Sequence, residues 1–304
     1  MPDQGAEAAG YRPAMVSWPE PPELRRCALA VAVLHDVDIL PATDGVVLPG
    51  PPEVHVRWAE CRRALSGTPA DSDAGRARLA RWLLLRRALA DHPLELLQRN
   101  ARPWGSPVDS PLHPGMDWVR RRVLGDALDL GFAFVGLDRA NPERPVPVPA
   151  RLLASAKVDP TPWWTEAVVY LERMGEMALD RLKRSNPRTP LRPMGDCDVV
   201  TLLGSMTLRA GIATPAAHGM RTVAVPMRNR GWLDLSRIDP AFSQAAARLT
   251  DITERGFARP LLVTREEVVQ VRPGGDVTRA ARETQNDGNV IDLRDVLYHR
   301  FTTG

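Results

Sequence analysis

The chain has 304 residues, with 44% hydrophobic and 25% charged residues, proportions that are ordinary for a soluble protein. Its formal net charge of +3 is small for this length and does not indicate a polyanionic partner. No apolar run approaches the roughly 18 residues that span a bilayer, and the N-terminal residues lack the basic and apolar segments of a secretory signal. We therefore expect a cytoplasmic protein without membrane attachment.

The numbers and positions of the cysteines and lysines further limit the kinds of site that the chain can form. Cys27, Cys61 and Cys197 are far apart and form no CxxC pair, so neither a zinc site nor a redox pair is indicated. We expect all three as small buried residues. Lys157 and Lys183 are the only lysines among 40 basic residues. Together with abundant alanine and proline, this bias is typical of a high-GC bacterial genome, so codon usage explains the arginine excess before nucleic-acid chemistry does.

The N-terminal third is predicted to be mostly helical. Residues 1–20 are expected to form a disordered tail, and a helix follows from Pro21 or Pro22, although its apolar run also fits a buried strand. Asp44-Gly45 between apolar pairs predicts a tight hairpin. Apolar spacing then predicts further helices over residues 52–66, 73–90 and a short stretch from Pro93. The arginines of the 73–90 helix are interpreted as the solvent-reaching edges of a mostly buried helix.

The next segment is predicted to change from loop to helix to strand. Residues 101–114 contain four prolines and are expected to form a loop. Residues 116–130 have amphipathic helical spacing with Gly131 as the stop. The apolar run 132–137 is predicted to be a strand that pairs at an edge with 145–149, and a short helix is expected over 150–157.

Two apolar segments, residues 162–184 and 196–211, are predicted to form a buried helix pair around which the rest is organised. The second segment is apolar on almost every side, which is typical of a core helix. Asp196 is predicted to be its N-cap, and Gly211 is expected to end it in the left-handed conformation.

Each helix of this pair carries a glycine in mid-span, Gly175 and Gly204. Glycine inside a helix costs about 1 kcal/mol relative to alanine, so it often has a packing reason. We therefore expect the two helices to pack closely, with at least one glycine at the contact.

The remaining pattern predicts strands, and the whole defines an α+β fold class. Short strands are expected over 221–227 and 232–235, a helix over 240–249, and a hairpin from 259–264 and 267–273. Residues 274–289 are polar and predicted to be a mobile loop. The fold expected is a helix-rich body around the buried pair, with short antiparallel hairpins. Residues 21–304 are taken as one domain; the alternative is a helix-rich subdomain 21–157 followed by a mixed subdomain 158–304.

No motif in the sequence specifies a reaction. The six histidines form no HxH, HExxH or Cys/His cluster, and the glycine-rich phosphate loops and the GxSxG serine motif are absent. Three Asp-x-Asp pairs are close to the number expected by chance. Asp196 and Asp198 are the alternative candidates for a metal, but helix capping explains them without one. We expect no cofactor and no metal.

The most informative charge feature is the segment 181–237, which carries ten basic and three acidic residues, a local excess of +7. Arg228, Arg230 and Trp232 lie close together there on a predicted loop. Guanidinium groups bind phosphate or carboxylate in a forked geometry, and an indole stacks on a ring. With Arg192, these residues form the candidate anion-binding surface. The alternative is a solvated loop whose arginines pair with acids elsewhere.

Three functions compete on this basis. The first is a cytoplasmic interaction or regulatory protein without catalysis of its own, with a protein partner or self-association, because the strong patterns are all packing patterns. The second is an enzyme acting on a phosphate-bearing or other anionic substrate, held by Arg192, Arg228 and Arg230, with Asp196 or Asp198 as base or metal ligand. The third is nucleic-acid binding through residues 181–237, which we do not expect.

Overall fold

The computed structural model describes residues 22–115, 118–123, 125–137, 142–155, 157–185, 190–214, 217–233 and 240–271. The predicted tail 1–20 and the predicted mobile loop 274–289 lie outside these ranges. The helices are α1 (Pro22–Leu34), α2 (Trp58–Leu65), α3 (Asp73–Asp91), α4 (Leu94–Arg99), α5 (Ala150–Ser155), α6 (Thr161–Arg184), α7 (Val199–Leu202), α8 (Met206–Ile212) and α9 (Pro240–Leu249). The strands are β1 (Leu40–Pro41), β2 (Gly45–Leu48), β3 (Val54–Arg57), β4 (Ala101–Pro107), β5 (Arg120–Arg122), β6 (Leu128–Phe134), β7 (Val146–Pro147), β8 (Met220–Met227), β9 (Arg230–Leu233), β10 (Leu261–Thr264) and β11 (Val268–Gln270).

The strands form antiparallel sheets, which together with the helices confirm the predicted α+β class. One sheet has the order β1-β2-β3, a second β4-β6-β5 with β7 also paired to β6, and a third β11-β10-β8-β9. The hairpin predicted at Asp44-Gly45 is β1–β2, with Leu40 opposite Val47. The predicted C-terminal hairpin is β10–β11. The ambiguous run after Pro22 is helix α1, since its buried residues recur at helical spacing.

Buried side chains gather mainly around two hydrophobic cores. The N-terminal core joins α1, the first sheet, α2 and the first half of α3. The main core joins the other two sheets with α6, α7 and α8. Helix α3 serves both, because Leu79 and Leu83 belong to the N-terminal core while Leu85 and Ala88 belong to the main core. Residues near the middle of α3 therefore lie at the junction of the two cores.

The predicted single helix over 196–211 is wrong, because the segment forms two short helices, α7 and α8, that meet at Gly204-Ser205. Ser205 interrupts the helix by acting as N-cap of α8, where its hydroxyl accepts from the Leu208 N–H at 3.2 Å. A serine that bonds to the backbone in this way favours a helix start over a helix interior.

The two predicted ends of that helix also differ. Asp198, not Asp196, is the N-cap of α7, and its carboxylate accepts from the Thr201 N–H at 2.7 Å. Gly211 does not end the helix in a left-handed conformation but lies inside α8. A Cβ at Gly211 would stand 2.6 Å from Cδ1 of Leu179 on α6, so this glycine allows close helix packing.

The predicted close contact between the helices is confirmed at Gly175. A Cβ there would stand 2.6 Å from the Cβ of Ser205, so the backbone of α6 meets the start of α8 directly. Gly204 instead faces Leu130 of β6, whose Cδ1 would be 2.9 Å from an added Cβ. Both glycines therefore serve packing, but against different elements.

Residues 101–134 hold the largest difference from prediction. The predicted loop 101–114 begins with strand β4, and the predicted helix 116–130 is replaced by β5 and the start of β6. All seven residues of β6 are buried between β4 and β5. Two prolines are tolerated in β4 because it is the edge strand of its sheet, where a missing N–H costs no ladder bond.

The predicted helix 52–66 starts later than expected. Residues 54–57 form β3, which pairs along its length with β2, and the helix begins only at Trp58. Pairing with a neighbouring strand therefore overrides the helical spacing of Val54. None of the described helices is both long enough and apolar enough to cross a membrane.

Glu172 on α6 holds the start of α8 in place. Its carboxylate accepts from the Ser205 hydroxyl and from the backbone N–H groups of Met206 and Thr207, each at 2.9 Å. Burial raises the pKa of Glu172, but the hydrogen bonds from Thr207, Met206 and Ser205 outweigh burial and leave the pKa below its usual 4.5. The ionised carboxylate is therefore the form that the fold favours.

We expect Glu172→Gln to reduce the free energy of unfolding by about 1 kcal/mol at pH 7, a modest value because solvent screens this half-exposed group. Because the folded pKa is lowered, the stabilisation is complete above about pH 4.5 and is lost as the pH falls through the folded pKa. Urea denaturation at several pH values between 3 and 7 would measure this. A difference between variant and wild type that stays constant down to pH 3 would contradict it.

Candidate anion-binding site

Arg228 was predicted to bind a ligand, but its side chain instead contacts other segments of the fold. It is 8% exposed, its Nε donates to Asp198 at 2.6 Å, and its NH2 group donates to the Gly105 carbonyl at 2.6 Å. Its guanidinium also lies 4.7 Å from the ring centre of Trp104. These contacts tie β4 and the start of α7 to the turn between β8 and β9, and they leave little of the side chain for a ligand.

The other three predicted residues lie together at one sheet edge. Leu191 and Gly231 exchange backbone hydrogen bonds of 2.7 and 3.1 Å in an isolated antiparallel bridge. This bridge places the segment of Arg192 beside the strand that carries Arg230 and Trp232. The guanidinium of Arg230 lies 6.0 Å from the ring centre of Trp232. The structure thus brings Arg192, Arg230 and Trp232 together and takes Arg228 into the interior.

The two aspartates considered for a metal are occupied by protein groups. Asp196 accepts from the Arg102 Nε at 2.7 Å, and Asp198 caps α7 and pairs with Arg228. Across the ranges that the structure describes, no group of three or more His, Cys, Asp or Glu side chains is placed to hold a metal ion. The arrangement of Asp196 and Asp198 is that of structural ion pairs.

Cys27, Cys61 and Cys197 are all buried, as expected. Cys27 and Cys197 offer no reactive thiolate. Burial raises the pKa of Cys27 to about 11, and burial, followed by the charges of Asp198 and Asp196, raises that of Cys197 further. A thiol with a raised pKa is a poor nucleophile at neutral pH.

A cleft lies between the two hydrophobic cores, with about 450 Å³ of empty space including the part open to solvent. One wall comes from α3 and the end of α2 and consists of Ala64, Ser66, Arg78, Arg81 and Trp82. The facing wall comes from segments around β5 and β7 and consists of Pro114, Trp118, Pro147, Val148 and Pro149. Ligand sites often form at such junctions.

Two buried donors at this cleft have no hydrogen-bond acceptor in the described part of the chain. They are the indole Nε1 of Trp82, a residue only 7% exposed, and the Nε of Arg78. The guanidinium groups themselves are held by backbone carbonyls, Arg78 by Pro111 at 3.2 Å and Arg81 by Leu112 at 3.3 Å. Within the described residues neither arginine pairs with an acid. The cleft is therefore lined by two arginines without acidic partners in the described chain, and Arg78 and Trp82 each keep one buried N–H group without an acceptor.

Burial and neighbouring guanidinium groups both disfavour the charge on Arg81. Burial, and then the charges of Arg144, Arg78 and Arg228, lower the pKa of Arg81 to about 9. The guanidinium remains charged at neutral pH, but its charge is unfavourable where it stands. An anion in the cleft would relieve this repulsion, so the electrostatics favour a negatively charged ligand.

The nearest acid–histidine pair is structural rather than catalytic. Asp129 is fully buried, pairs with Arg120 and Arg122, and accepts from Nε2 of His113 at 3.0 Å. The other nitrogen of His113, Nδ1, accepts from the Gly115 N–H at 3.0 Å, which places the single ring proton on Nε2. Burial lowers the pKa of His113 despite the opposing charge of Asp129. Both ring nitrogens are engaged, so this histidine has no free lone pair for general-base chemistry.

The sequence did not indicate Arg78, Arg81 and Trp82 as residues of a binding site. Their spacing of three and four positions places them on one face of α3, which is a usable signal. The same spacing also fits a buried helix with arginines at its edges, which was the prediction. Only the facing wall around Trp118, about 40 residues away in sequence, distinguishes the two.

Comparisons with known proteins do not add to this picture. No protein-family model, no curated protein and no solved structure matches the chain.

Proposed function

We propose that this protein is a non-catalytic regulatory or interaction protein that binds an anionic small molecule in the cleft between its two cores. The observation that carries the proposal is the buried, unpartnered indole N–H of Trp82 beside Arg78 and Arg81. A buried donor without an acceptor costs about 1–3 kcal/mol. An anionic ligand would supply the acceptor and balance the two guanidinium charges.

We further propose that the protein acts in the bacterial cytoplasm with a protein partner or by self-association. Buried Cys27 and Cys197, which form no disulfide in the described part of the chain, fit a reducing compartment, and the scarcity of lysine fits a high-GC bacterial genome. Leu29, Val33 and Leu34 are exposed on α1, Val33 by 82%. Neighbouring exposed apolar side chains of this kind support a contact surface.

The two alternative functions have less support from the geometry. An enzyme for anionic substrates needs its arginines and aspartates in one cleft, whereas Arg228 and Asp198 are paired with each other. Nucleic-acid binding through residues 181–237 needs a continuous basic face, and Arg209 and Arg228 of that segment are buried.

The test of the proposal is the loss of anion affinity on removing one N–H group. Isothermal titration with inorganic phosphate and with 1-naphthoate would show whether wild type binds either anion. We expect Trp82→Phe to weaken binding about tenfold or more, since a hydrogen bond to a charged group contributes about 1.5–3 kcal/mol. No hydrogen bond of the described structure is broken by this change.

The chain offers a matched control in Trp104, which is also 7% exposed and whose Nε1 also has no acceptor in the described part. Trp104 does not line the cleft, and phenylalanine keeps an aromatic ring beside Trp118, so Trp104→Phe should weaken binding far less than Trp82→Phe. Arg81→Gln should abolish binding, and Arg62→Gln, an exposed position on α2 with the same charge change, should not. Equal losses in both tryptophan variants, or no binding of either anion by wild type, would overturn the proposal. Native mass spectrometry of gently purified protein would report a retained ligand and the oligomeric state.

A further inference from the structure

The donors and walls of the cleft together define a narrower class of ligand. We propose that the cleft binds a carboxylate carried on a flat apolar ring. This inference rests on the proposed function, because it specifies the ligand of the same site.

The polar groups of the cleft select a small head group that accepts hydrogen bonds. Two donors have no acceptor in the described chain, the Nε of Arg78 and the Nε1 of Trp82. Arg81 lines the same wall. The hydroxyl of Ser66 is already used, since it donates to the Arg63 carbonyl at 3.2 Å. A planar carboxylate matches a guanidinium fork and takes a third donor on its remaining lone pairs.

The facing wall selects a flat apolar body. It consists of Trp118, Val148 and three prolines, Pro114, Pro147 and Pro149. The proline nitrogens carry no hydrogen, and the indole N–H of Trp118 is already taken by the Phe132 carbonyl at 3.0 Å. This wall therefore offers ring surfaces and no free side-chain donor. A ligand made only of hydrated oxygens would leave that surface without a partner.

The Trp118 wall is rigid, which favours a ligand of fixed shape. Trp118 packs edge-on against Trp104 at 5.3 Å and against His113 at 5.8 Å between ring centres. The opposite guanidinium groups are anchored on the carbonyls of Pro111 and Leu112. With both sides packed before binding, little side-chain ordering is needed when a flat ring enters between them.

Inorganic phosphate and nucleotides fit this cleft less well. A phosphoryl group presents three or four oxygens, usually met by a run of backbone N–H groups or several basic side chains. The described cleft supplies two arginines and one indole N–H, and apolar surface forms most of its lining. The balance of donors to apolar wall thus favours a single carboxylate over a phosphate.

The inference is tested by titrating the full-length protein with four probes in the same buffer. They are 1-naphthoate, its neutral amide 1-naphthamide, acetate and inorganic phosphate. We expect 1-naphthoate to bind at least tenfold more tightly than each of the other three. The amide lacks the charge, acetate lacks the ring, and phosphate lacks the ring while keeping the charge.

The outcomes separate this inference from the proposed function. If phosphate or acetate binds as tightly as 1-naphthoate, and Trp82→Phe weakens that binding, the cleft is an anion site and the ring carboxylate is wrong. If 1-naphthamide binds as tightly as 1-naphthoate, the arginines do not select charge and both proposals fail. If none of the four binds, both fail as well. Trp82→Phe and Trp104→Phe should differ by tenfold or more in affinity for 1-naphthoate, and equal affinities would place the probe elsewhere on the protein.

Discussion

Replacement of Asp129 by asparagine is expected to lower the free energy of unfolding by about 3–5 kcal/mol, the range for breaking a buried ion pair by removing one partner. Asp129 lies on the central strand β6, is 0% exposed, and is the shared carboxylate of Arg120, Arg122 and His113. Asparagine keeps the shape but removes the charge that two guanidinium groups face. The loss is large because the interior cannot replace the carboxylate with water.

Urea denaturation of both proteins at pH 7 measures this change. Asp180→Asn, which also removes one carboxylate but from the exposed side of α6, should stay within about 0.5 kcal/mol of wild type. A loss below about 1 kcal/mol for Asp129→Asn, with an unchanged denaturant slope, would show that the buried cluster is not held by its charge.

Gly175→Ala is expected to destabilise the protein by about 3 kcal/mol, near the upper end of the range for overpacking a core. The added Cβ would stand 2.6 Å from the Cβ of Ser205 and closer still to its hydroxyl. Ser205 cannot move freely, because its hydroxyl donates to Glu172 and accepts from Leu208 at the start of α8. Relief of the clash would therefore break the cap of α8 as well.

The sign of the change in unfolding free energy shows whether the close contact exists. In an unhindered helix, glycine to alanine is stabilising by about 1 kcal/mol, so a gain on thermal or urea denaturation would exclude the close contact. A second variant, Ser205→Gly, removes the atoms that clash. We expect the double variant Gly175→Ala/Ser205→Gly to be more stable than the sum of the single losses predicts, since the two sites are in contact.

The location of the cleft gives the Asp129 prediction a bearing on function. Trp118 in its far wall packs against His113, which is bound to Asp129. The near wall belongs to α3, the helix that serves both hydrophobic cores. A ligand in the cleft would contact side chains anchored in each core, so its binding would stabilise their junction.

Local patterns in the sequence were sufficient for much of the fold. Helices α3 and α6 and the hairpin at Asp44-Gly45 follow from apolar spacing and turn residues, because their hydrogen bonds join residues close in sequence. The spacing of α1 fitted either a helix or a strand. The same reasoning fails over the predicted helix 116–130, where residues 120–122 and 128–130 lie in paired strands instead. It also fails at Ser205, where a cap supported by Glu172 divides one predicted helix into two.

For the candidate site too, the sequence predicted some features and only the tertiary structure showed the others. The sequence by itself placed Arg230 and Trp232 together and singled out Arg192, which the bridge between Leu191 and Gly231 brings beside their strand. Only the tertiary structure decided that Arg228 is buried, and that Arg78, Arg81 and Trp82 face Trp118 across a cleft. Burial and electrostatic pairing depend on which remote segments meet, and this information is spread over long-range contacts rather than contained in any local pattern. Periodicity thus predicted several helices of this protein, while packing between its two cores formed the cleft.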